Sequence, residues 1–186
     1  GQSTHFALAD TEETITEWLA KYGYDAWGVQ TNSNGQVAWG YAQGFPSAQF
    51  VYQNFIPAAM VTDDVLANKD SWKEPFFVFA QYIDPHGPYA PPTDYTNIFG
   101  TQPALTSPDS VYLSSSFWGT YSLDLLNSYY AKTASTYPSL TPNGINVMQY
   151  RYDADCRYMD DELQRLVTTI QAKFPNTIVV MVADHG

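Results

Sequence analysis

Two short apolar runs in this chain each end in a carboxylate followed closely by a histidine. Residues 76–83 (FFVFAQYI) run into Asp84-Pro85-His86, and residues 177–183 (TIVVMVA) run into Asp184-His185-Gly186. A carboxylate supplies hard oxygen and an imidazole supplies nitrogen, a pair that suits a divalent cation. A positioned imidazole also serves as a proton donor to a departing oxygen. Both runs read as buried strands of a parallel sheet, and in open α/β sheets ligands bind beyond the carboxyl ends of the strands. If the two strands are parallel neighbours, Asp84, His86, Asp184 and His185 converge on one rim. The plain alternative is that Asp-His-Gly is a turn with an Asx cap and Pro-His-Gly-Pro a stiff loop. Rigidity favours function at His86, because Pro85, Pro88, Pro91 and Pro92 restrict its position before any ligand arrives.

The elements that must carry these residues alternate between helix and strand. Asp10 and Glu13 form a D-x-x-E capping box, and Ile15, Trp18, Leu19 and Tyr22 share one helical face that stops at Gly23. Residues 25–31 follow as a short strand. Residues 33–58 have no sustained period and read as a surface excursion. Thr62 caps a short helix through Val65, Leu66 and Trp72 that ends before Pro75. After the strand at 76–83, residues 84–92 hold four prolines and a glycine and cannot be helix or central strand. Residues 93–146 are loop-like, a length that often marks a substrate-facing insertion. From Met148, a spacing of three to four through Tyr152, Cys156, Met159, Leu163, Leu166, Val167 and Ile170 predicts a long helix, closed at Pro175-Asn176. The strand at 177–183 comes last. The fold class is therefore α/β, a largely parallel sheet flanked by helices.

Composition narrows the function. The 186 residues amount to about one domain. Lys and Arg total 8 against 19 Asp and Glu, a net charge of −11. So few cations argue against nucleic acid as a partner. A hydrophobic share of 45% with 16% aromatics excludes a disordered acidic tail. No apolar run reaches the ~20 residues of a membrane span. The one cysteine, Cys156, rules out an internal disulfide and a cysteine-based zinc cluster. It lies in phase with Tyr152 and Met159 and reads as a small core hydrophobe, not a nucleophile. The compartment stays open: periplasmic, secreted and cytoplasmic settings all fit.

Four strings carry a resemblance: ETITEWLAKYGYDAWGVQTN, PFFVFAQYIDPHGPYAPP, YDADCRYMDDELQRLV and NTIVVMVADHG. In this order and rough spacing they resemble sulfatases of the alkaline-phosphatase superfamily, over nearly the whole chain. The resemblance implies hydrolysis of a sulfate ester by a metal-dependent enzyme. It implies a divalent cation, usually calcium, and a formylglycine made from Cys or Ser in a C/S-x-P-x-R signature. By position, Asp184 and His185 match the family's late pair of metal ligands. His86 matches the histidine that contacts the sulfate ester, as hydrogen-bond donor or general acid to the departing oxygen, and Asp84 would orient its turn. The implied partner is a sulfated small molecule or sulfated carbohydrate.

The departures from the family pattern are equally specific. The early Asp pair and the formylglycine signature are absent, and Cys156 is followed by Arg157-Tyr158-Met159-Asp160. Thr136-Tyr137-Pro138-Ser139-Leu140 echoes a hydroxyl-nucleophile signature of the superfamily, but its last residue and its place after His86 make it a decoy. Where several sulfatases carry Lys-x-His, this chain reads Thr31-Asn32-Ser33-Asn34. The expectation is an internal segment, residues 1–186, of a single sulfatase-type catalytic domain. The formylglycine would lie upstream, and the segment alone would be inactive. One alternative is a phosphate or phosphonate ester hydrolase or transferase of the same superfamily. Another is a non-catalytic carbohydrate-binding module, motivated by 15 Tyr, 10 Phe and 5 Trp.

Overall fold

The computed structural model describes residues 7–183 except 88, 103, 108 and 114–140, and the side chains of 34, 111 and 112 are likewise left aside. Asp184, His185 and the Thr136–Leu140 string lie outside the described residues. Contacts divide the chain into two compact units, one of residues 1–83 with 161–186 and one of residues 84–160.

The first unit is built on a three-stranded parallel sheet. β1 (Asp25–Gln30) lies between β2 (Phe50–Tyr52) and β3 (Phe76–Ala80). Gly28 stands opposite both Phe50 and Phe79, and Val29 opposite Val51 and Ala80. Gly28 is required by packing: a Cβ there would sit 2.6 Å from the Phe50 ring and 3.1 Å from the Phe45 ring. Helix α2 (Ala58–Ala67) buries Ala58, Val61, Thr62 and Val65, an i, i+3, i+4, i+7 stripe. With Leu166, Ile170 and Phe174 these residues enclose Val29 and Trp72 in the core. Trp72, Phe76 and Phe174 form an aromatic cluster with centroids 4.8 to 5.9 Å apart. Arg165 joins α2 to the segment beyond residue 160 through Asp63 at 2.8 Å and the Ala59 carbonyl at 3.2 Å.

Asp25 anchors the start of β1. Its carboxylate accepts from Trp27 Nε1 at 3.0 Å, the Lys73 amide at 3.0 Å and Gln49 Nε2 at 2.9 Å. Burial alone would raise its pKa, but these donors outweigh that and hold it below the ordinary carboxylate value.

In the second unit the 32-residue helix α4 (Pro142–Lys173), of which residues 142–160 belong here, packs against the 84–113 segment with its short helix α3 (Asp109–Tyr112). Thr141 caps α4 through a bond from the Gly144 amide, and proline takes the first helical position. Fully buried Asp109 accepts from the Thr141 amide at 3.0 Å and the Thr141 hydroxyl at 2.5 Å. Along the helix, Tyr150, Tyr152 and Tyr158 meet Phe99, Tyr89 and Tyr95 with centroids 5.3 to 6.2 Å apart.

Several elements differ from the sequence expectations. Helix α1 is Ile15–Lys21, and its capping box is Thr14 with Glu17, not Asp10 with Glu13. Gln43 Nε2 donates to Glu17 and fixes the register there. The Ile15, Trp18 and Tyr22 face is exposed, while Thr16 is buried. Thr62 lies in the middle of α2, because the buried stripe begins four residues earlier at Ala58. β2 was hidden inside the 33–58 excursion, since three residues are too few for a period. β3 is half-buried and shorter than expected. α4 begins at Pro142, six residues before the visible period, because its first turn is held by Asp109. Residues 178–183 form no ladder, with Ile178 87% and Val182 88% exposed. β-branched sequence alone makes no strand, since the backbone groups need a pairing partner, and β3 pairs with β1.

The α4 cap gives a direct test. A Cβ on Gly144 would lie 2.5 Å from Asp109 Cγ and 2.6 Å from its Oδ1. Gly144→Ala should therefore destabilise the protein by about 1–3 kcal/mol, as an overpacking change does, although alanine is the better helix former by about 1 kcal/mol. Urea unfolding of the two proteins measures this, and a stabilised variant would show that Asp109 does not press on the helix start.

Candidate functional site

A polar seam closes the carboxyl end of the sheet. Gln30 and Thr31 follow one another at the end of β1, and both are buried. Thr31 Oγ1 donates to the Gln81 carbonyl at 3.1 Å, and the Asn32 amide reaches Gln30 Oε1 at 3.1 Å and Gln81 Oε1 at 3.3 Å. From the β2 side, the Gln53 amide donates to the Gln30 carbonyl and the Phe55 amide to the Thr31 carbonyl. Gly35 makes room for the amide of Gln30: a Cβ there would lie 1.8 Å from Gln30 Nε2. Thr31 and Asn32, which stand in place of Lys-x-His, are thus bound into the seam and bring no cation to it. The sequence reading missed Gln30 and Gln81 because glutamine in a strand carries no periodic signal.

His86 belongs to the second unit. It follows the cis Asp84-Pro85 peptide and is exposed. Its Nδ1 lies 2.6 Å from the Gly87 carbonyl oxygen. A carbonyl only accepts, so Nδ1 carries the proton in this contact. Donation to a ligand from Nε2 then requires the doubly protonated ring.

Asp155 is the group sequence reasoning did not single out. It is 2% exposed. Burial first, then the negative charge of Asp84, push its pKa up to about 7 against the Ala90 bond, which lowers it. The sign follows from linkage. An acid whose folded value lies above its ordinary 3.8 is stabilising while protonated. That contribution is complete below the unfolded value and is lost as pH rises toward about 7. A buried carboxyl with a specific charge partner beside a histidine turn is a functional-site signal. The only trace of it in sequence is an acidic residue on the helix face that carries Tyr158 and Ala154.

The metal-ligand expectation rests on Asp184 and His185, outside the described residues. Among the described residues no group of three His, Cys, Asp or Glu side chains is arranged to hold a cation. Nor is any helix among them long and apolar enough to cross a membrane.

The Sulfatase family model matches residues 1–186, the full length of the chain. No curated protein and no solved structure matches it.

Cys156 is half-buried against Tyr152, and burial raises its thiol pKa above the ordinary value, with Asp153 and Asp155 adding to the effect. Iodoacetamide should therefore alkylate Cys156 at pH 7 at least about tenfold more slowly than a free thiol, since only the thiolate reacts. A rate equal to or above that of the free thiol would reveal an activated cysteine.

Proposed function

The chain belongs to the sulfatase family, and on that premise we propose that the enzyme it forms part of hydrolyses a sulfate ester, R-O-SO3⁻ plus water giving R-OH and hydrogen sulfate. The observation that carries this reading is the family match over the whole chain, and the proline-rich turn that bears His86 supports it. The nucleophile is a formylglycine supplied from sequence before Gly1. Cys156 is no candidate, because its thiol is half-buried and held protonated. The substrate is a sulfated small molecule or sulfated carbohydrate.

Asp184 and His185 would supply an oxygen and a nitrogen ligand to a divalent cation, calcium by family resemblance. Two such donors suit part of the shell of a hard cation and leave its other ligands to other residues. When bound, the cation would neutralise charge on the nucleophile and the sulfate.

His86 acts on the departing oxygen. With Nδ1 engaged by the Gly87 carbonyl, the ring presents Nε2, and the imidazolium gives that proton to the bridging oxygen as the S–O bond breaks. Proton transfer from a positioned side chain contributes about 10²–10⁴-fold.

A phosphate or phosphonate ester reaction is the second reading, favoured by the same superfamily geometry. The upstream nucleophile separates the two: a C/S-x-P-x-R signature belongs to the sulfatase.

His86→Ala in the full enzyme should lower kcat by about 10²–10⁴-fold on a poor leaving group. The loss should shrink across aryl sulfates whose leaving groups are progressively more acidic, since those need less protonation. An equal loss over the whole series would reject the general-acid role and leave His86 as a rigid element of the turn.

A further inference from the structure

An aromatic anchor follows the turn that bears His86. Tyr89 stands three residues after the histidine, and its half-buried ring meets Tyr152 of α4 edge-on, with centroids 5.3 Å and planes 77° apart. In this arrangement the positive edge of one ring faces the negative face of the other. Beyond Tyr89 the segment runs antiparallel to α4. Tyr95 packs on buried Tyr158 with centroids 5.3 Å apart. Tyr150 Oη accepts from the Phe99 amide at 3.0 Å and donates to the Gly100 carbonyl at 2.5 Å, and Asn143 Nδ2 donates to the Ala104 carbonyl at 3.1 Å. Asn143, Tyr150 and Tyr158, with the fully buried Val147 and Ala154 between them, recur at the three-to-four spacing of one helical face. Tyr152 stands outside that series and is 43% exposed, so the packing of this face does not depend on it. Its ring is engaged by Tyr89 instead.

We propose that Tyr152 is a positioning residue for His86, acting through its ring contact with Tyr89. The consequence for turnover rests on the sulfatase reading above; the fastening itself does not. Only Gly87 and Pro88 separate the histidine from Tyr89, and so short a step cannot travel far once its far end is fixed. The prolines of the turn restrict its local shape, but shape is not place: a stiff turn hinged at one end still sweeps. The contact between Tyr89 and Tyr152 supplies the fixed point. With Nδ1 engaged by the Gly87 carbonyl, the direction of Nε2 follows the backbone of the turn, so holding Tyr89 holds the proton that His86 gives. An aromatic pair of this kind biases an equilibrium by about two- to tenfold, which sets the scale of the effect.

The test uses the full-length enzyme as wild type, Tyr152→Ala and Tyr152→Phe, each also combined with His86→Ala. On an aryl sulfate with a poor leaving group, Tyr152→Ala should lower kcat about two- to tenfold with KM little altered. Tyr152→Phe keeps the ring and should restore the rate. The loss should shrink as the leaving group becomes more acidic and should vanish on the His86→Ala background, because residues that act through one group are not additive. A ring that merely packs the helix would cost the same on both backgrounds. Nitrogen-15 relaxation at the Gly87 amide reads the turn without turnover. Its order parameter should fall from the rigid range of about 0.85 toward about 0.6 in Tyr152→Ala and stay high in Tyr152→Phe. An unchanged Gly87 order parameter in Tyr152→Ala overturns the proposal, as does an equal kcat loss with and without His86, or a Tyr152→Phe enzyme as slow as Tyr152→Ala. If Tyr152→Ala does not fold, Tyr152→Leu, which keeps apolar bulk without a ring, takes its place with the same expected results. A wild-type enzyme without sulfate-ester turnover overturns the sulfatase reading instead, and the Gly87 measurement still decides the fastening.

Discussion

The seam of Gln30, Thr31, Asn32 and Gln81 fixes where the chain leaves β1 and β3. A parallel strand pair presents its carboxyl ends on one side, and the backbone groups there have no further ladder to join. This chain meets that demand with buried Gln30 and Thr31 and half-buried Gln81, whose side chains replace the missing strand partners. Gly35 is part of the same solution, because any side chain there would displace the Gln30 amide. With this end closed, α2 and residues 161–173 can cover the sheet, and the aromatic cluster of Trp72, Phe76 and Phe174 fills the space between them. The other end of β1 is held by Asp25, whose three donors come from strand, loop and turn. β1 is thus pinned at both ends by polar groups and in its middle by burial.

The second unit uses carboxylates in a similar way. Asp109 organises the start of α4 through Thr141, and Asp155 is buried further along the same helix. Both are nearly or fully buried, yet their pKa values move in opposite directions. Asp109 is lowered, chiefly by the Thr141 hydroxyl and amide, whereas Asp155 is raised, chiefly by burial. The contrast follows from the number of donors each carboxyl receives. One is a fixed structural anion at a helix start, where negative charge is favoured. The other sits where its charge is opposed.

The α/β class, the strand at Asp25–Gln30, the first part of the strand expected at 76–83 and the long helix were legible, the helix from its apolar period and the strand after Pro75 from its continuous apolar run. The starts of α1, α2 and α4 were not. The starts of α1 and α4 are set by interactions from distant parts of the chain, Gln43 on Glu17 and Asp109 on Thr141, and that of α2 by the buried stripe that begins at Ala58. The apolar run at 177–183 read as a strand from composition, but pairing decides strands and composition does not. Cys156 shows the same limit on helix phase. The buried positions Val147, Ala154, Tyr158, Leu166 and Ile170 leave it half-buried beside the stripe. At the site, His86 was legible from its prolines, while Asp155 was masked by the acidic residues around it, Asp153, Asp160 and Asp161.

We propose sulfate-ester rather than phosphate-ester hydrolysis for the enzyme of which this chain forms part. A tetrahedral monoanionic sulfate ester and a dianionic phosphate ester differ most in the charge that the site must neutralise. The most direct measurement is kcat/KM of the full-length enzyme on 4-nitrophenyl sulfate and 4-nitrophenyl phosphate in the same calcium-containing buffer. The account predicts a preference for sulfate of at least about 10²-fold, the scale on which a mismatched charge separates two substrates of one shape. Equal rates, or a preference for phosphate, would contradict it.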